Sequence, residues 1–233
     1  SHILISLPEN ANPTDTLNAY NKAMSIRERA LKGEDFSALA KQYSDDPSVQ
    51  DKKEQNYKGN GGDLGYFTSM VMIYPFENAC YSMEVGEIST PIKTRFGYHI
   101  IKLTDKIPAF FSSVDLSHIW IANVNRSEQE SERIINEVYA KLQQDNVSFD
   151  SIVRLYSDDK STANAGGVLK NQKVNTIPAP YVLQLSKLKE GEISAPFQTP
   201  FGWHIIKPIR YKAIPSLEQQ KSVIENRISK DER

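Results

Sequence analysis

The stretch Glu87-Ile88-Ser89-Thr90-Pro91-Ile92-Lys93-Thr94-Arg95-Phe96-Gly97-Tyr98-His99-Ile100-Ile101-Lys102 returns 105 residues later, without a gap, as Glu192-Ile193-Ser194-Ala195-Pro196-Phe197-Gln198-Thr199-Pro200-Phe201-Gly202-Trp203-His204-Ile205-Ile206-Lys207. Working outward, Tyr43-Ser44-Asp45-Asp46 returns as Tyr156-Ser157-Asp158-Asp159, and Phe36 as Phe149. Gly61-Gly62-x-Leu64 returns as Gly166-Gly167-x-Leu169, and the opening His2-Ile3 as His118-Ile119. The offset shrinks along the chain because the first copy carries a longer loop between Asp46 and Gly61. The period far exceeds that of a solenoid unit, so the chain is one domain written twice.

Each copy reads as an α+β unit. Residues 2–6 form a short strand, and 15–32 a helix with Leu17, Met24 and Leu31 on one stripe, started at Pro13-Thr14-Asp15 and stopped at Gly33. A second helix spans Phe36 to Tyr43, with Phe36, Leu39, Ala40 and Tyr43 facing inward. The glycine-rich 59–65 stretch leads to a short strand near Tyr66. A third helix begins at Pro75 and reaches about Met83, with Gly86 ending the turn after it. Strands Ile88–Ile92 and Tyr98–Leu103 follow, joined through Thr94 to Gly97. In the second copy Ser127-x-x-Glu130 reads as a capping box for a helix to about Gln144. The expected organisation is a first domain over 1–105, a linker over 106–114 containing Pro108 and Ser112-Ser113, a second domain over 115–211 and a helical extension over 212–233. In that extension Leu217, Ile224 and Ile228 share one side, a stripe that calls for a packing partner.

Composition narrows the function. Hydrophobic residues make up 39% and charged residues 24% of the 233, a globular balance. Lys plus Arg number 28 against 29 Asp plus Glu, a net charge of -1, so no basic excess exists to neutralise nucleic-acid phosphates. No apolar run approaches the ~20 residues of a membrane span. The single cysteine, Cys80, excludes a disulfide framework and a four-cysteine zinc site. The chain opens on a strand already in progress with no signal peptide before it, which reads as an excised or processed form. Gly61-Gly62 is a backbone requirement rather than a phosphate cradle, since no Lys-Ser/Thr follows. The run Asp51-Lys52-Lys53-Glu54 reads as a solvated loop.

All four histidines fall at two repeated positions: His2 and His118 on the first strand, His99 and His204 on the last. If those strands are neighbours, each pair of rings can meet. Three readings compete. A metal site needs a third ligand, for which Asp46 is the candidate, but the spacing matches no zinc motif. A nucleophilic site needs an activated Ser or Cys, and Cys80 has no counterpart in the second copy, where Gln184 stands. A buried polar network fixing the sheet is compatible with either.

These residues carry a resemblance. His2-Ile3-Leu4-Ile5, Phe36-x-x-Leu39-Ala40-x-x-Tyr43-Ser44, Gly61-Gly62-Asp63-Leu64-Gly65, Met72, Phe76, Gly86-Glu87-Ile88-Ser89 and Phe96-Gly97-Tyr98-His99-Ile100-Ile101 resemble the parvulin (rotamase, PpiC-type) peptidyl-prolyl cis-trans isomerases. The match spans nearly all of 1–105 and, more loosely, 115–210. It implies two tandem parvulin-like domains, each a small, mostly antiparallel sheet surrounded by three or four helices, plus the C-terminal helix. Two such copies in tandem resemble the layout of a periplasmic chaperone family. That layout implies a periplasmic or otherwise extracytoplasmic location, clients that are proline-containing unfolded or extended polypeptides, and a further N-terminal chaperone segment.

Carried over residue by residue, the resemblance assigns His2, Asp46, His99 and Thr94 to the catalytic constellation. It assigns Leu64, Met72, Phe76 and Phe96 to substrate binding. The second-copy equivalents are His118, Asp159, Leu169, Ile177, Tyr181, Thr199 and His204. Rotating an X-Pro amide crosses a barrier of roughly 20 kcal/mol but breaks no bond, so no metal or cofactor is expected. The twisted amide has only to be bound better than either planar form. The second copy departs from the pattern: Asp63, Gly65, Tyr66 and Phe67 become Val168, Lys170, Asn171 and Gln172, and Phe76 becomes Tyr181, a hydroxyl in the socket. The first copy is therefore the expected active one, with a non-catalytic peptide-binding chaperone module as the alternative. Ser6 to Thr16 lacks Arg and Lys, so no preference for phosphorylated Ser/Thr-Pro is expected.

Overall fold

A computed structural model describes residues 1–51, 59–124 and 126–229; the Lys52-Lys53-Glu54 part of the run read as a loop lies outside them. The chain divides into two units, Ser1–Pro108 with the residues from Gln220 on, and Ala109–Gln219. In the first, β1 (His2–Ser6), α1 (Pro13–Leu31), α2 (Phe36–Tyr43), α3 (Tyr74–Ser82), β2 (Ile92–Thr94) and β3 (Gly97–Ile101) follow in order. Their strands make an antiparallel sheet ordered β1-β3-β2. The second unit has β4 (Ser113–Ala122), α4 (Glu128–Leu142), α5 (Phe149–Tyr156), α6 (Lys160–Ala163), β5 (Val168–Gln172), α7 (Ala179–Leu185), β6 (Phe197–Thr199) and β7 (Gly202–Lys212). Its antiparallel sheet is ordered β5-β4-β7-β6. A last helix, α8 (Leu217–Ile228), follows. The α+β class with two tandem copies is as the sequence implied.

Strand alternation explains why each sheet has two different faces. In the first unit Ile3, Ile5, Tyr98 and Ile100 point to one side and pack against Ala19, Ala23, Ile26, Phe36 and Leu39 of α1 and α2. His2, His99 and Ile101 take the other side, where Phe76, Cys80 and Met83 build a smaller cluster. The histidines thus lie on the face away from the two helices that anchor the sheet.

Four local expectations are corrected. The α1 stripe is not Leu17, Met24 and Leu31: Leu17 and Leu31 are 58% and 54% exposed, and Ala19, Ala23, Ile26 and Ala30 are buried instead. Small residues let the helix sit close on the sheet, so the larger leucines were left outside. The expected 88–92 strand begins only at Ile92, the start of β2; Ile88 makes only an isolated bridge with Lys102, and Pro91 has no N–H to offer. There Ser89 takes the ladder's place, donating its N–H to Ile101 O while its Oγ accepts from Ile101 N. No strand forms near Tyr66, although the equivalent β5 does. β5 pairs with Val114, Leu116 and Ser117 of β4. Finally, the offset that sets Phe76 against Tyr181 sets Leu185, not Gln184, against Cys80, and both are buried one helical turn after the ring. In α8 Leu217 is 75% exposed and Ile228 46%, while Ile224 is half-buried, so the expected stripe is only partly covered among the described residues.

The repeated Tyr-Ser-Asp-Asp motif protects the sheet edge. Leu4 N–H donates to Ser44 Oγ (3.1 Å), Asp45 N–H to Leu4 O (2.8 Å) and Ser6 N–H to the Asp45 carboxylate (2.8 Å). Trp120, Ser157, Asp158 and Ala122 repeat the pattern. Further along the same edge, His2 N–H donates to Gly62 O (2.8 Å). Gly62 has φ +88, and a Cβ there would fall 2.6 Å from His2 O. Gly62→Ala is expected to destabilise the first unit by about 1–3 kcal/mol through backbone strain, read as a lower urea midpoint.

Candidate active site

The β1–β3 register sets His99 opposite Leu4 and His2 opposite Ile101, so the two imidazoles are diagonal neighbours on one face. Their Nδ1 atoms lie 3.2 Å apart. His2 Nε2 reaches Asp46 Oδ2 at 2.6 Å, and Thr94 Oγ1 reaches His99 Nε2 at 2.8 Å. One assignment of protons satisfies every partner with both rings neutral: the Thr94 hydroxyl donates to His99 Nε2, His99 Nδ1–H to His2 Nδ1, and His2 Nε2–H to the Asp46 carboxylate. Thr94 Oγ1 in turn accepts from Phe96 N–H (3.1 Å), which fixes its rotamer.

Electrostatics agree with neutral rings. Burial, then the neighbouring His2, pushes His99 down to about 4. Burial also lowers His2, against the opposing pull of Asp46. For Asp46, burial alone would raise the carboxyl; bonds from the Ser48 N–H and hydroxyl and from His2 outweigh it and hold the group below its usual value. A carboxylate thus stands at one end of a neutral hydrogen-bonded chain.

Phe76 roofs this chain. Its ring, 4% exposed, stands edge-on to His2 (5.6 Å, 84°) and to His99 (5.4 Å, 81°). Leu64, Met72 and Phe67 are partly buried against the same cluster. The structure therefore brings together His2, Asp46, His99 and Thr94 and, next to them, Leu64, Met72 and Phe76. Phe96 stands apart: its ring is 48% exposed at the β2–β3 turn, against the Arg95 guanidinium (5.0 Å to the centroid). Among the described residues no group of three His, Cys, Asp or Glu is placed to hold a metal ion.

The second unit repeats the ends of the chain and changes its middle. His118 Nε2 reaches Asp159 Oδ2 (2.8 Å), and Thr199 Oγ1 reaches His204 Nε2 (2.8 Å). Between the rings sits the Tyr181 hydroxyl, 3.1 Å from His118 Nδ1 and 2.8 Å from His204 Nδ1. The ring centroids accordingly stand 6.5 Å apart, against 5.4 Å in the first unit. Burial, then Asp159, pushes the Tyr181 phenol upward, so it stays a neutral donor. Burial pushes His204 down to about 3. Asp159 Oδ2 is shared with the Thr162 hydroxyl (2.5 Å). Leu169 and Ile177 pack with Tyr181 against Phe111 and Phe197 in a core cluster. The hydroxyl at position 181 was legible in the sequence; its bridging of the two histidines was not.

The profile of the Rotamase family, described as the PPIC-type PPIASE domain, matches residues 2–105 and 118–210. The chain is 29% identical over 225 residues to "Chaperone SurA" of Pseudomonas fluorescens Pf-5, covering 95% of this chain and 50% of that protein. It is 32% identical over 212 residues to "Chaperone SurA" of Thiobacillus denitrificans, covering 89% and 46%. The chain thus spans about half the length of the curated relatives it matches. Among solved structures, PrsA peptidylprolyl isomerase from Bacillus anthracis is similar at 25% identity, with a TM-score of 0.39 over 52% of each chain. A pair described as SurA-like chaperones of Campylobacter jejuni is similar at 26% identity, TM-score 0.36, covering 50% of this chain and 47% of that one.

Proposed function

The chain belongs to the rotamase family of PPIC-type PPIase domains, and from that premise we propose that it is a peptidyl-prolyl cis-trans isomerase acting on unfolded or extended polypeptides, with the first unit as the active copy. Domain bounds of 1–105 and 115–211, joined by 106–114 and followed by 212–233, belong to the same reading. The observation that carries it is the unbroken Thr94–His99–His2–Asp46 chain beneath Phe76.

Catalysis of amide rotation needs differential binding of the twisted bond. Once twisted, the amide nitrogen is pyramidal and basic, and the carbonyl carbon is no longer fed by it. Leu64, Met72 and Phe76 would hold the proline ring away from water, so the peptide on its amino side is the part that turns. Asp46 would act by its charge, fixed in place by His2, and not by forming an adduct. The histidines are positioning groups in this scheme: neutral and mutually bonded, they hold the carboxylate and the socket floor in one arrangement.

In the second unit the Tyr181 hydroxyl occupies the point where the two imidazoles would meet. That favours a binding or purely architectural role there, and with it the second reading, a chaperone module in which parvulin folds recognise clients. The relatives' name, chaperone, points the same way. A periplasmic or other extracytoplasmic location is part of the proposal; among the described residues no helix is long and apolar enough to cross a membrane.

The test is NMR exchange spectroscopy of an X-Pro peptide with the whole chain. Accelerated cis/trans exchange of the unphosphorylated peptide is expected, with no gain for a phosphorylated Ser-Pro peptide. No acceleration removes the isomerase reading, and selective action on the phosphorylated form removes the proposed client class.

A further inference from the structure

Ser48 and Asn60, on either side of the stretch that distinguishes the first copy from the second, meet beside the site. Asp46 Oδ1 accepts from Ser48 N–H (2.8 Å) and from the Ser48 hydroxyl (2.8 Å). Ser48 Oγ itself accepts from Asn60 Nδ2 (3.0 Å), and Asn60 Oδ1 accepts from Gly62 N–H (2.8 Å). Gly62 O then accepts from His2 N–H (2.8 Å), and His2 Nε2 meets Asp46 Oδ2 (2.6 Å). The bonds close a ring through His2, Asp46, Ser48, Asn60 and Gly62. With the Asn60 amide donating to Ser48 Oγ, the serine proton turns away from Asn60, and its bond runs to Asp46 Oδ1. Asn60 thereby holds the Ser48 hydroxyl on Oδ1, the oxygen that Ser48 N–H already occupies, and the other oxygen faces the histidine.

The second copy shows the arrangement without that residue. Its loop is shorter, and Asp159 is held by Ser161 N–H (3.1 Å), Ser161 Oγ (2.5 Å) and Thr162 Oγ1. Thr162 donates to Oδ2, the same oxygen that faces His118, and approaches His118 Nε2 at 3.4 Å. In the first copy Ser48 donates to Oδ1 instead, and the carboxylate–imidazole distance is 2.6 Å against 2.8 Å.

We propose that Asn60 is a positioning residue for the isomerase site, acting through Ser48 to aim Asp46 Oδ2 at His2. The inference rests on the isomerase reading for its kinetic consequence and on geometry alone for its effect on His2. Supporting groups of this kind change activity by roughly 10–100-fold when lost from metal sites; here Asn60→Ala is expected to lower kcat about tenfold with KM little changed. In an Asp46→Ala background the same substitution is expected to have no further effect, because its route runs through the carboxylate.

The experiment measures proline exchange for the wild type, Asn60→Ala, Asp46→Ala and the double variant, together with the nitrogen-15 spectrum of the His2 ring in each. Loss in the single variant, no additional loss in the double, and a His2 ring no longer held as the Nε2–H tautomer support the proposal. Equal losses in both backgrounds, or an unchanged His2 ring in Asn60→Ala, overturn it. Asn60→Asp guards against a loop that fails to fold: it keeps the acceptor for Gly62 N–H but turns the Ser48 proton toward residue 60. It is expected to alter the His2 ring as Asn60→Ala does, and a wild-type His2 spectrum there also overturns the proposal. A wild type without exchange activity counts against the isomerase reading alone, since the His2 spectrum still reports the ring of bonds.

Discussion

Phe76→Ala is expected to abolish catalysis of proline exchange and to destabilise the first unit by about 3–5 kcal/mol, the range for truncating a buried aromatic ring. The size follows from its position. The ring is nearly fully buried, it touches both imidazoles edge-on, and it shares a cluster with Cys80, Met83 and Ile101. Removing it opens the socket to water and frees the rings beneath. Because a loss of that size is a large part of a domain's stability, Phe76→Leu belongs beside it: a branched apolar side chain keeps most of the volume while losing the edge contacts. Exchange spectroscopy and a urea titration on both variants separate the two effects. Exchange lost in a folded Phe76→Leu chain locates the socket. If suppression of client aggregation persists undiminished there, binding is carried by other surfaces, as the chaperone-module reading has it. Exchange that survives in both variants means that the socket is not the site.

Acid is expected to weaken the fold through the histidines. In the unfolded chain an imidazole takes its proton near 6.5; in the folded first unit burial holds His99 to about 4. Between those values the unfolded state carries the extra proton, so the stabilisation is complete above pH 6.5 and disappears as pH falls toward 4. A shift of that width corresponds to about 3 kcal/mol. His2, also lowered by burial, acts with the same sign. The second unit has its own acid limb from His204, held to about 3. Urea unfolding at pH 7 and pH 4, with and without His99→Gln, checks the assignment. The variant should lose less stability on acidification than the wild type; an equal loss would place the acid sensitivity in groups other than His99.

What was readable in the sequence, and what was not, divides along physical lines. The repeat was readable because histidine is rare and both copies keep it at both positions, and because Asp46 recurs as Asp159 after Tyr-Ser-Asp. The strand alternation that puts His2 and His99 on one face then follows from register. The α1 stripe was misread because alanine carries little hydrophobic weight in a pattern, yet Ala19, Ala23 and Ala30 are what allow close packing. The 88–92 segment has strand composition, but Pro91 and the Ser89 side chain replace the ladder. Whether a strand forms near Tyr66 depends on pairing with a distant segment, a non-local fact. Ser44 and Asp45 are legible in the sequence as a recurrence, but their part in closing the edge of β1 is not. Asn60 carried no signal at all, since it falls after the loop the copies do not share. Its partner Ser48 lies 12 residues away, a separation no periodicity links.

The most direct test of the central claim, that one copy turns proline bonds and the other does not, is exchange spectroscopy on an unphosphorylated X-Pro peptide with the whole chain carrying Asp46→Ala or Asp159→Ala. The account predicts a drop on the order of a hundredfold for Asp46→Ala, in line with removing a preorganised electrostatic group, and wild-type exchange for Asp159→Ala. Undiminished exchange in Asp46→Ala, or a loss that follows Asp159→Ala instead, would contradict it.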